Sequence, residues 1–297
     1  MQPRFFDIDQ AGTLDRSYLH PGRSACVDIG GTRIKLGAVD EDRGWELKVA
    51  PTPSDWDQLT KMIDDFIGKH EATHWALGMP GPATPDGPPR SSVSVTPLVH
   101  PQIDVAEIRG HFSYRGILPP ALIVNDTTAV AHGIIASVSE TKADYQAVCQ
   151  ISTALGSVVF RDQKMLMDPS GRGRFTDGLS DTIIEIDGKR ASYNYFASWH
   201  RMQEWLAPEI RGLHYHQLTG LQHPHIDLML TGLERWLQAI IDSCPGSAEI
   251  LFAGGGSLAL RDQLEVITDK IGVPASWPAD AELPGLDGLQ LLIDGAR

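Results

Sequence analysis

The sequence predicts an α/β protein in which one order of strands and helices occurs twice. Each half begins with three consecutive strand patterns and continues with helices and further strands. The chain has 297 residues, which is more than one hydrophobic core usually contains. The halves share this order of elements without obvious sequence repetition, so we expect two domains with a boundary near residue 140.

The first half contains five strand patterns and two helix patterns. Apolar runs bounded by turn residues predict strands at 25–30, 33–39, 45–50, 74–78 and 121–126. A helix is predicted at 54–68, with Ser54 as its N-cap, because apolar residues recur there at helical spacing: Trp56, Leu59, Ile63 and Ile67. A second helix is expected at 126–139. The segment MPGPATPDGPPR is rich in Pro and Gly and is expected to be a loop.

The second half starts again with three strands. Strands are predicted at 146–152, 156–162, 164–167 and 249–252, and helices at 191–206, 225–243 and 257–271. Residues 1–24 are polar and irregular. We interpret them as an N-terminal extension that is too short for a helix-turn-helix domain.

Composition narrows the class of protein. The net charge is −13, whereas nucleic-acid binders carry a basic face and anionic membrane surfaces attract basic segments. No run of about 18 apolar residues occurs, and Asp7 and Asp9 lie where a signal peptide would be apolar. The three cysteines are far apart and include no Cys-x-x-Cys pair, which favours free thiols over a zinc site. We therefore expect a soluble cytoplasmic protein with no nucleic-acid or membrane partner.

The stretch ACVDIGGTRIKLGAVD places polar residues at the tip of a predicted buried hairpin. Backbone N–H groups of Gly30 and Gly31 can approach an anion closely, and Thr32 and Lys35 add a hydroxyl and a positive charge. Asp28 repels phosphate but can hold Mg²⁺ through water. An ordinary hairpin with incidental polar residues explains this stretch equally well.

The stretch IVNDTTAVAHG places Asn125 and Asp126 where a buried strand ends and a helix begins. A carboxylate in this position suits a general base in a cleft. Taken alone, the stretch is better explained by a helix N-cap, for which either residue would serve.

Two further stretches have glycines at turns. In QISTALGSVVF, Thr153, Gly156 and Ser157 are predicted to lie at the bend of a second strand–turn–strand, and a plain hairpin is the alternative. In ILFAGGGSLAL, glycines 254–256 would leave room for a flat ring or a phosphate, and a tight turn is the alternative. Neither G-x-G-x-x-G nor the P-loop pattern occurs, so the dinucleotide-binding and P-loop classes are disfavoured.

The order and spacing of these stretches resemble the ROK family of sugar kinases, within the actin-like ATPase superfamily. The family pattern D-x-G-G-T-x-x-K-x-G is matched by residues 28–37, G-x-P-G-P by 78–82, and the N-D-A helix start by 125–127, here Asn-Asp-Thr. The second phosphate turn corresponds to 152–157, the adenosine turn to 254–256, and the closing helix to 284–293. The resemblance covers about residues 24–297 and is strongest to the zinc-free branch that includes polyphosphate glucokinases.

The resemblance implies a fold and an activity. It implies two actin-like, ribonuclease H-like domains at 25–140 and 141–297, each with a central mixed five-stranded sheet flanked by helices, around a deep cleft. The last helix would pack back on the first domain. The implied enzyme is a carbohydrate kinase that uses ATP and Mg²⁺ and needs no zinc. By analogy with other family members, we also expect a homodimer.

The resemblance also assigns roles to residues. Asp126 would be the general base, and Asp28 would hold Mg²⁺ through water. Nucleotide binding is assigned to Asp28, Gly30, Gly31, Thr32, Lys35, Thr153, Gly156, Ser157, Gly254, Gly255 and Gly256. Binding of a sugar-like substrate is assigned to Pro80, Gly81, Asn125 and Asp126.

The chain departs from the family pattern mainly on the acceptor side. The sugar motif E-x-G-H is replaced by residues 170–173, SGRG, and the P-N dipeptide by Thr96-Pro97. Arg172, with Arg174, is a candidate for binding an acidic acceptor, although a solvated loop is the simpler explanation. The phosphate turn G-T-G-x-G reads STALG here, which introduces β-carbons where backbone should meet phosphate.

These departures leave three functions open. The first is a kinase of a sugar or sugar-like molecule, the second a non-catalytic small-molecule sensor or interaction protein, and the third a kinase with polyphosphate as donor.

The histidine-rich segment HYHQLTGLQHPH (214–225) is expected to be a surface loop rather than a metal site.

Overall fold

The computed structural model describes residues 4–5, 14–40, 44–53, 55–80, 105–138, 141–167, 175–176, 178–278 and 283–296. The chain forms two compact units. The first unit consists of Phe6–Ala136, Ser170–Gly173 and Ala281–Arg297. The second unit consists of Met1–Phe5, Ser137–Pro169 and Arg174–Asp280.

The strands and helices are numbered in chain order. The strands are β1 (Arg4–Phe5), β2 (Ser24–Ile29), β3 (Arg33–Asp40), β4 (Gly44–Pro51), β5 (His74–Met79), β6 (Leu122–Asn125), β7 (Tyr145–Ile151), β8 (Leu155–Arg161), β9 (Lys164–Met167), β10 (Ile183–Ile186), β11 (Lys189–Ser192), β12 (Ala248–Ala253) and β13 (Ala275–Ser276). The helices are α1 (Trp56–Lys69), α2 (Val105–Tyr114), α3 (Asp126–Ser137), α4 (Tyr193–Ala197), α5 (Trp199–Met202), α6 (Tyr215–Leu218), α7 (Pro224–Ser243), α8 (Gly255–Ala259), α9 (Arg261–Ile271) and α10 (Pro284–Gly295).

The first unit is built on a mixed five-stranded sheet in the order β4-β3-β2-β5-β6. Strands β2, β5 and β6 are parallel, and the pairs β2–β3 and β3–β4 are antiparallel. Apolar residues of α1 and α2 pack on one face of this sheet, among them Leu59, Ile63 and Phe112. Helices α3 and α10 cover the other face, where Ala129 and Leu289 contribute to a second cluster. The C-terminal helix therefore packs on the first sheet.

The second unit repeats this topology. Its sheet has the order β1-β9-β8-β7-β12-β13. Without β1, the five strands of this sheet, numbered as they follow Ser137, have the spatial order third, second, first, fourth, fifth. The five strands of the first sheet have the same spatial order. The sixth strand, β1, is a two-residue addition that pairs with β9. Residues of α4, α7 and α9 pack on the strands of this sheet in a large apolar core. The predicted duplication and the predicted mixed five-stranded sheets are confirmed.

The predicted helix at 191–206 is wrong. The segment starts in β11, which forms a hairpin with β10, and continues as the short helices α4 and α5. Ser198 has an extended backbone, and its hydroxyl accepts a hydrogen bond from the N–H of Arg201. Ser192 caps α4 in the same way by accepting from Tyr195. Serine side chains that bond to nearby backbone favour helix starts over helix interiors, which divides this segment.

Two other helix predictions need correction. The helix expected at 257–271 is two helices, α8 and α9, which are separated by Leu260. The N-cap of α1 is Asp55, whose Oδ1 accepts from the N–H of Gln58 at 2.8 Å. The predicted cap, Ser54, lies outside the described residues. Asp55 and Ser54 are both favourable cap residues, and the helix starts one residue later than expected.

Part of the N-terminal extension is ordered against the first sheet. The N–H of Asp15 donates to the carbonyl of Ala121 at 2.8 Å, and Leu14 forms an isolated bridge with Leu122. Leu14, Tyr18 and Leu19 pack against the apolar cluster between α10 and the first sheet.

Within the described part of the chain, none of the helices has the length and apolar character that a membrane crossing requires.

Candidate functional site

The two carboxylates singled out from the sequence follow parallel strands of one sheet. Asp28 on β2 is in register with Gly78 on β5, which is in register with Val124 on β6. Asp126 begins α3 two residues after Val124. Neighbouring strands are about 4.8 Å apart, so the ends of β2 and β6 are separated by roughly 10 Å across β5. Asp28 and Asp126 therefore lie at the same edge of the first sheet.

The face of the sheet to which Asp28 belongs is the one covered by α3 and α10. A Cβ built on Gly78 would lie 3.6 Å from the Cβ of Ala129 in α3 and 3.5 Å from a methyl of Leu289 in α10. Side chains in register on neighbouring strands point to the same face, which places Asp28 on this side. These distances are ordinary van der Waals contacts, so both helices lie directly against this face of the sheet at position 78.

Asp28 is a buried carboxylate with a positively charged partner. Only 5% of the surface of Asp28 is exposed. Lys35 lies directly opposite on β3, and its Nζ donates to Oδ2 of Asp28 at 3.1 Å. The ion pair offsets the cost of burying the carboxylate. Two residues that the sequence assigned to nucleotide binding are thus in contact with each other.

The turn between β2 and β3 is held from the end of β4. The N–H of Gly30 donates to the carbonyl of Arg33 at 2.9 Å and closes the turn. Thr52 donates its hydroxyl to the carbonyl of Gly30 at 2.8 Å and its N–H to that of Thr32 at 3.2 Å. A Cβ on Gly30 would lie 2.9 Å from the carbonyl oxygen of Arg33, so a side chain here would strain the turn. Sequence analysis missed Thr52, which lies outside the motif.

Asn125 and Asp126 have different local roles at the start of α3. Oδ1 of Asn125 accepts from the N–H of Thr128 at 3.2 Å, which is an N-cap interaction. Oδ1 of Asp126 accepts from the N–H of Thr127 at 2.8 Å, and the residue is partly exposed. The positive end of the helix dipole favours a carboxylate in the first turn. Asn125 caps the helix, so helix capping does not explain why residue 126 is an aspartate.

The turn between β7 and β8 is shorter than the sequence suggested. It consists of residues 152–154, whereas Gly156 and Ser157 lie in β8, paired with Gln150 and Cys149. Ser157 is 5% exposed. The expectation that Gly156 and Ser157 lie at the bend is therefore wrong, because β8 begins at Leu155. Thr153 does lie at the bend and is partly exposed.

Segments α4 and α5 hold this second turn in place. The N–H of Trp199 donates to the carbonyl of Ser152 at 3.4 Å, and that of His200 to Thr153 at 3.2 Å. Oδ1 of Asn194 accepts from the N–H of Leu155 at 2.9 Å. Two of these hydrogen bonds use carbonyl oxygens of the turn, and the third uses the N–H of Leu155, where β8 begins.

Close packing requires glycine at positions 254 and 256 but not at 255. Gly254 has φ +89°, and a Cβ there would lie 2.6 Å from the carbonyl oxygen of Ile151. A Cβ on Gly256 would lie 2.7 Å from the ring of Tyr215 and 2.8 Å from the same carbonyl oxygen. Gly255 is exposed, and nothing lies within 4 Å of its Cβ position. Tyr215, which sequence analysis missed, also donates its hydroxyl to the carbonyl of Ala197 at 2.7 Å.

Among the predicted site residues, Gly81 and Arg172, with Arg174, lie outside the described residues. Pro80 directly follows β5 and is partly exposed at the edge where Asp28 lies. Over the described ranges, no group of three His, Cys, Asp or Glu side chains is arranged to hold a metal ion.

The histidine-rich segment is more ordered than the predicted surface loop, because it contains α6 and the start of α7. His214 stacks on Trp199 with ring centroids 4.8 Å apart. His223 caps α7 by accepting from the N–H of His225, whose own Nδ1 accepts from the N–H of Ala207 at 2.9 Å. His216 in turn stacks on His214 with ring centroids 5.9 Å apart, so local hydrogen bonds and ring contacts account for all four histidines.

Comparison with known proteins gives a match in structure alone. No protein-family model matches the sequence, and no curated protein is similar to it in sequence. The structure is similar to a ROK-family glucokinase from Streptomyces griseus in complex with glucose and AMPPNP (TM-score 0.64, 19% identity, 91% of this chain and 99% of that chain). It is also similar to an inorganic polyphosphate/ATP-glucomannokinase from Arthrobacter sp. strain KM (TM-score 0.64, 19% identity, 93% and 100%).

The chain has the ROK fold. A ROK-family transcriptional regulator, a homologue of the E. coli Mlc protein, is similar as well (TM-score 0.61, 15% identity, 92% of this chain and 79% of that chain). The resemblance found in the motifs is therefore confirmed at the level of the fold, which both kinases and a regulator adopt.

Proposed function

We propose that the protein is a kinase that transfers the γ-phosphate of ATP, in the presence of Mg²⁺, to a hydroxyl group of a sugar or sugar-like molecule. The observation that carries the proposal is the position of Asp28 and Asp126 at one edge of one sheet, at the ends of parallel strands. Open α/β sheets bind ligands at this edge. The similarity to a glucokinase with bound glucose and AMPPNP supports the same assignment.

Asp126 is proposed as the general base. Its carboxylate is partly exposed, and one of its oxygens is oriented by the N–H of Thr127. A carboxylate is a weak base with an ordinary pKa near 4. That strength is sufficient if the transition state is loose and the sugar hydroxyl loses its proton late. Asp126 would orient the acceptor hydroxyl and accept its proton.

The residues around Asp28 suit the metal-bound phosphates of a nucleotide. Three groups lie near one turn: the carboxylate of Asp28, the hydroxyl of Thr32 at the exposed tip, and the ammonium group of Lys35. Oxygen donors of this kind suit Mg²⁺ held through water, and the ammonium group suits phosphate. Bound Mg²⁺ would neutralise charge on the phosphates. Asp28 would anchor the ion, and Lys35 would bind the phosphate oxygens directly.

In the second unit, the proposal assigns Thr153 to a phosphate and Gly254–Gly256 to the adenosine. The exposed Gly255 leaves its backbone open, which a flat ring or a ribose requires. Ala154 occupies a position where the family pattern has glycine, and its carbonyl accepts from both the N–H and the hydroxyl of Ser152.

This altered turn favours the second candidate, a small-molecule sensor without kinase activity. The turn is closed on itself by two hydrogen bonds from Ser152, and a ROK regulator shares the fold. The third candidate, a polyphosphate-dependent kinase, is favoured by the similarity to a polyphosphate/ATP-glucomannokinase.

Calorimetry and a phosphorylation screen separate these functions. The protein is titrated with Mg-ATP and with polyphosphate, and then assayed with both donors against hexoses, amino sugars, polyols and sugar acids. We expect Mg-ATP binding and transfer to at least one acceptor. Binding of sugars without binding of either donor at millimolar concentration would contradict the proposal and support the sensor. Transfer from polyphosphate alone would support the third candidate.

A further inference from the structure

The start of α10 lies against the carboxylate of Asp28. A Cβ built on Gly285 would lie 2.5 Å from Oδ2 of Asp28 and 2.9 Å from its Cγ. Contacts of this length are too short for a real Cβ atom. Glycine at position 285 therefore allows the helix to touch the carboxylate, and any side chain at this position would have to displace one of them.

The helix is held in place independently of Asp28. A Cβ on Gly288 would collide with the carbonyl oxygen of Ala129, and one on Gly133 with the backbone of Pro284, so α3 and α10 are in backbone contact. Nε1 of Trp45 donates to Oδ1 of Asp287 at 2.9 Å. Because α10 is fixed by these contacts, a methyl group added at Gly285 would displace the carboxylate rather than the helix.

The backbone of Asp28 is equally fixed, since β2 pairs with β3 on one side and with β5 on the other. A clash with Oδ2 can therefore be relieved only by rotation of the short side chain. The same oxygen is the one that accepts from Lys35 at 3.1 Å. Rotation would thus break or weaken the ion pair and redirect the carboxylate.

We propose that Gly285 is a positioning residue that fixes the orientation of the Asp28 carboxylate and thereby sets the affinity of the site for metal-bound nucleotide. The inference rests on the proposed function, in which Asp28 holds the metal ion. Gly285 itself contacts no ligand and acts through Asp28 alone.

The first measurement tests the contact without a nucleotide. Unfolding in denaturant is compared for wild type, Gly285→Ala, Asp28→Ala and the double variant. We expect Gly285→Ala to destabilise the wild type and to have little effect in the Asp28→Ala background, where the clashing oxygen is absent. Equal destabilisation in both backgrounds would overturn the inference, because the methyl group would then disturb something other than the carboxylate.

The second measurement tests the consequence for binding. Calorimetry with Mg-ADP is used to compare wild type with Gly285→Ala and with Gly295→Ala, a control on the same helix with nothing within 4 Å of its Cβ position. We expect a loss of about tenfold or more in affinity and a higher half-saturating Mg²⁺ concentration for Gly285→Ala, with no change for Gly295→Ala. In the Asp28→Ala background, Gly285→Ala should cause no further loss.

The outcomes distinguish this inference from the proposed function. If wild type binds Mg-ADP and Gly285→Ala binds it equally well, the inference is wrong and the proposed function stands. If wild type binds neither Mg-ADP nor Mg-ATP, the proposed function is wrong, and the role of Gly285 in metal binding falls with it. Circular dichroism and the unfolding midpoint show whether Gly285→Ala is folded, and Gly285→Ser provides a second variant with the same expected loss.

Discussion

The ring of Tyr215 packs directly on Gly256, where a Cβ atom would lie 2.7 Å from Cε2 of the ring. The hydroxyl of Tyr215 is buried and donates to the carbonyl of Ala197 at 2.7 Å. Burial raises the pKa of the Tyr215 hydroxyl well above its ordinary value, so the hydroxyl remains a hydrogen-bond donor. Tyr215 thus connects the glycine turn after β12 with the end of α4.

We expect Gly256→Ala to destabilise the protein by about 1–3 kcal/mol, because the added methyl would meet both the Tyr215 ring and the carbonyl oxygen of Ile151. Gly255→Ala is the matched control, since its Cβ position is open. Denaturant unfolding of both variants measures the difference. Equal stability of the two variants would contradict the packing described for Gly256.

The sequence predicted most elements of the fold because their signals are local. The strands β2, β3 and β4 have bounds within one residue of the apolar runs that predicted them. The failure at 191–206 is also local, since Ser192 and Ser198 bond to nearby backbone and start new helices. Helical spacing of apolar residues alone does not show which serine will act as a cap.

The contacts of the site were harder to predict from the sequence than the fold was. The motifs pointed to Asp28 and Asp126, but the partner of Asp28 that limits its orientation is Gly285, far along the chain. A glycine near the start of a helix has many explanations, and only tertiary packing selects this one. Thr52 and Tyr215 were missed for the same reason, because their contacts with Gly30 and Gly256 arise only from tertiary packing.

We expect Asp126→Asn to lower kcat by 10²-fold or more while nucleotide affinity stays near that of wild type, because a neutral amide cannot accept the proton of the sugar hydroxyl. The comparison is Asn125→Ala, which removes the cap of α3 and should cost about 1 kcal/mol of stability. Initial rates, calorimetry and unfolding measurements distinguish the two. Parallel loss of nucleotide binding and stability in Asp126→Asn would instead assign a structural role to this residue.

We expect Asp28→Asn to weaken metal-dependent nucleotide binding, because it removes the negative charge that would hold the ion. The measurement is nucleotide affinity as a function of Mg²⁺ concentration. Loss of the charge also leaves Lys35 without the ion pair seen at 3.1 Å, so a stability measurement accompanies the titration. An unchanged Mg²⁺ dependence would count against the role assigned to Asp28.

The last prediction concerns His132 on α3, where burial lowers the pKa of the imidazole to about 4. The ordinary value of histidine is about 6.5, so the unfolded chain binds a proton between pH 6.5 and 4 that the folded protein does not bind. Stability contributed by the neutral side chain is therefore fully present above pH 6.5 and is lost as the pH falls towards 4.

A substitution isolates this contribution from the other titrating groups. We expect His132→Gln to remove up to about 3 kcal/mol of the pH dependence of unfolding between pH 6.5 and 4, because the neutral amide does not titrate. Unfolding free energies measured at several pH values in this window check the difference. Identical slopes for wild type and His132→Gln would show that His132 titrates alike in the folded and unfolded states.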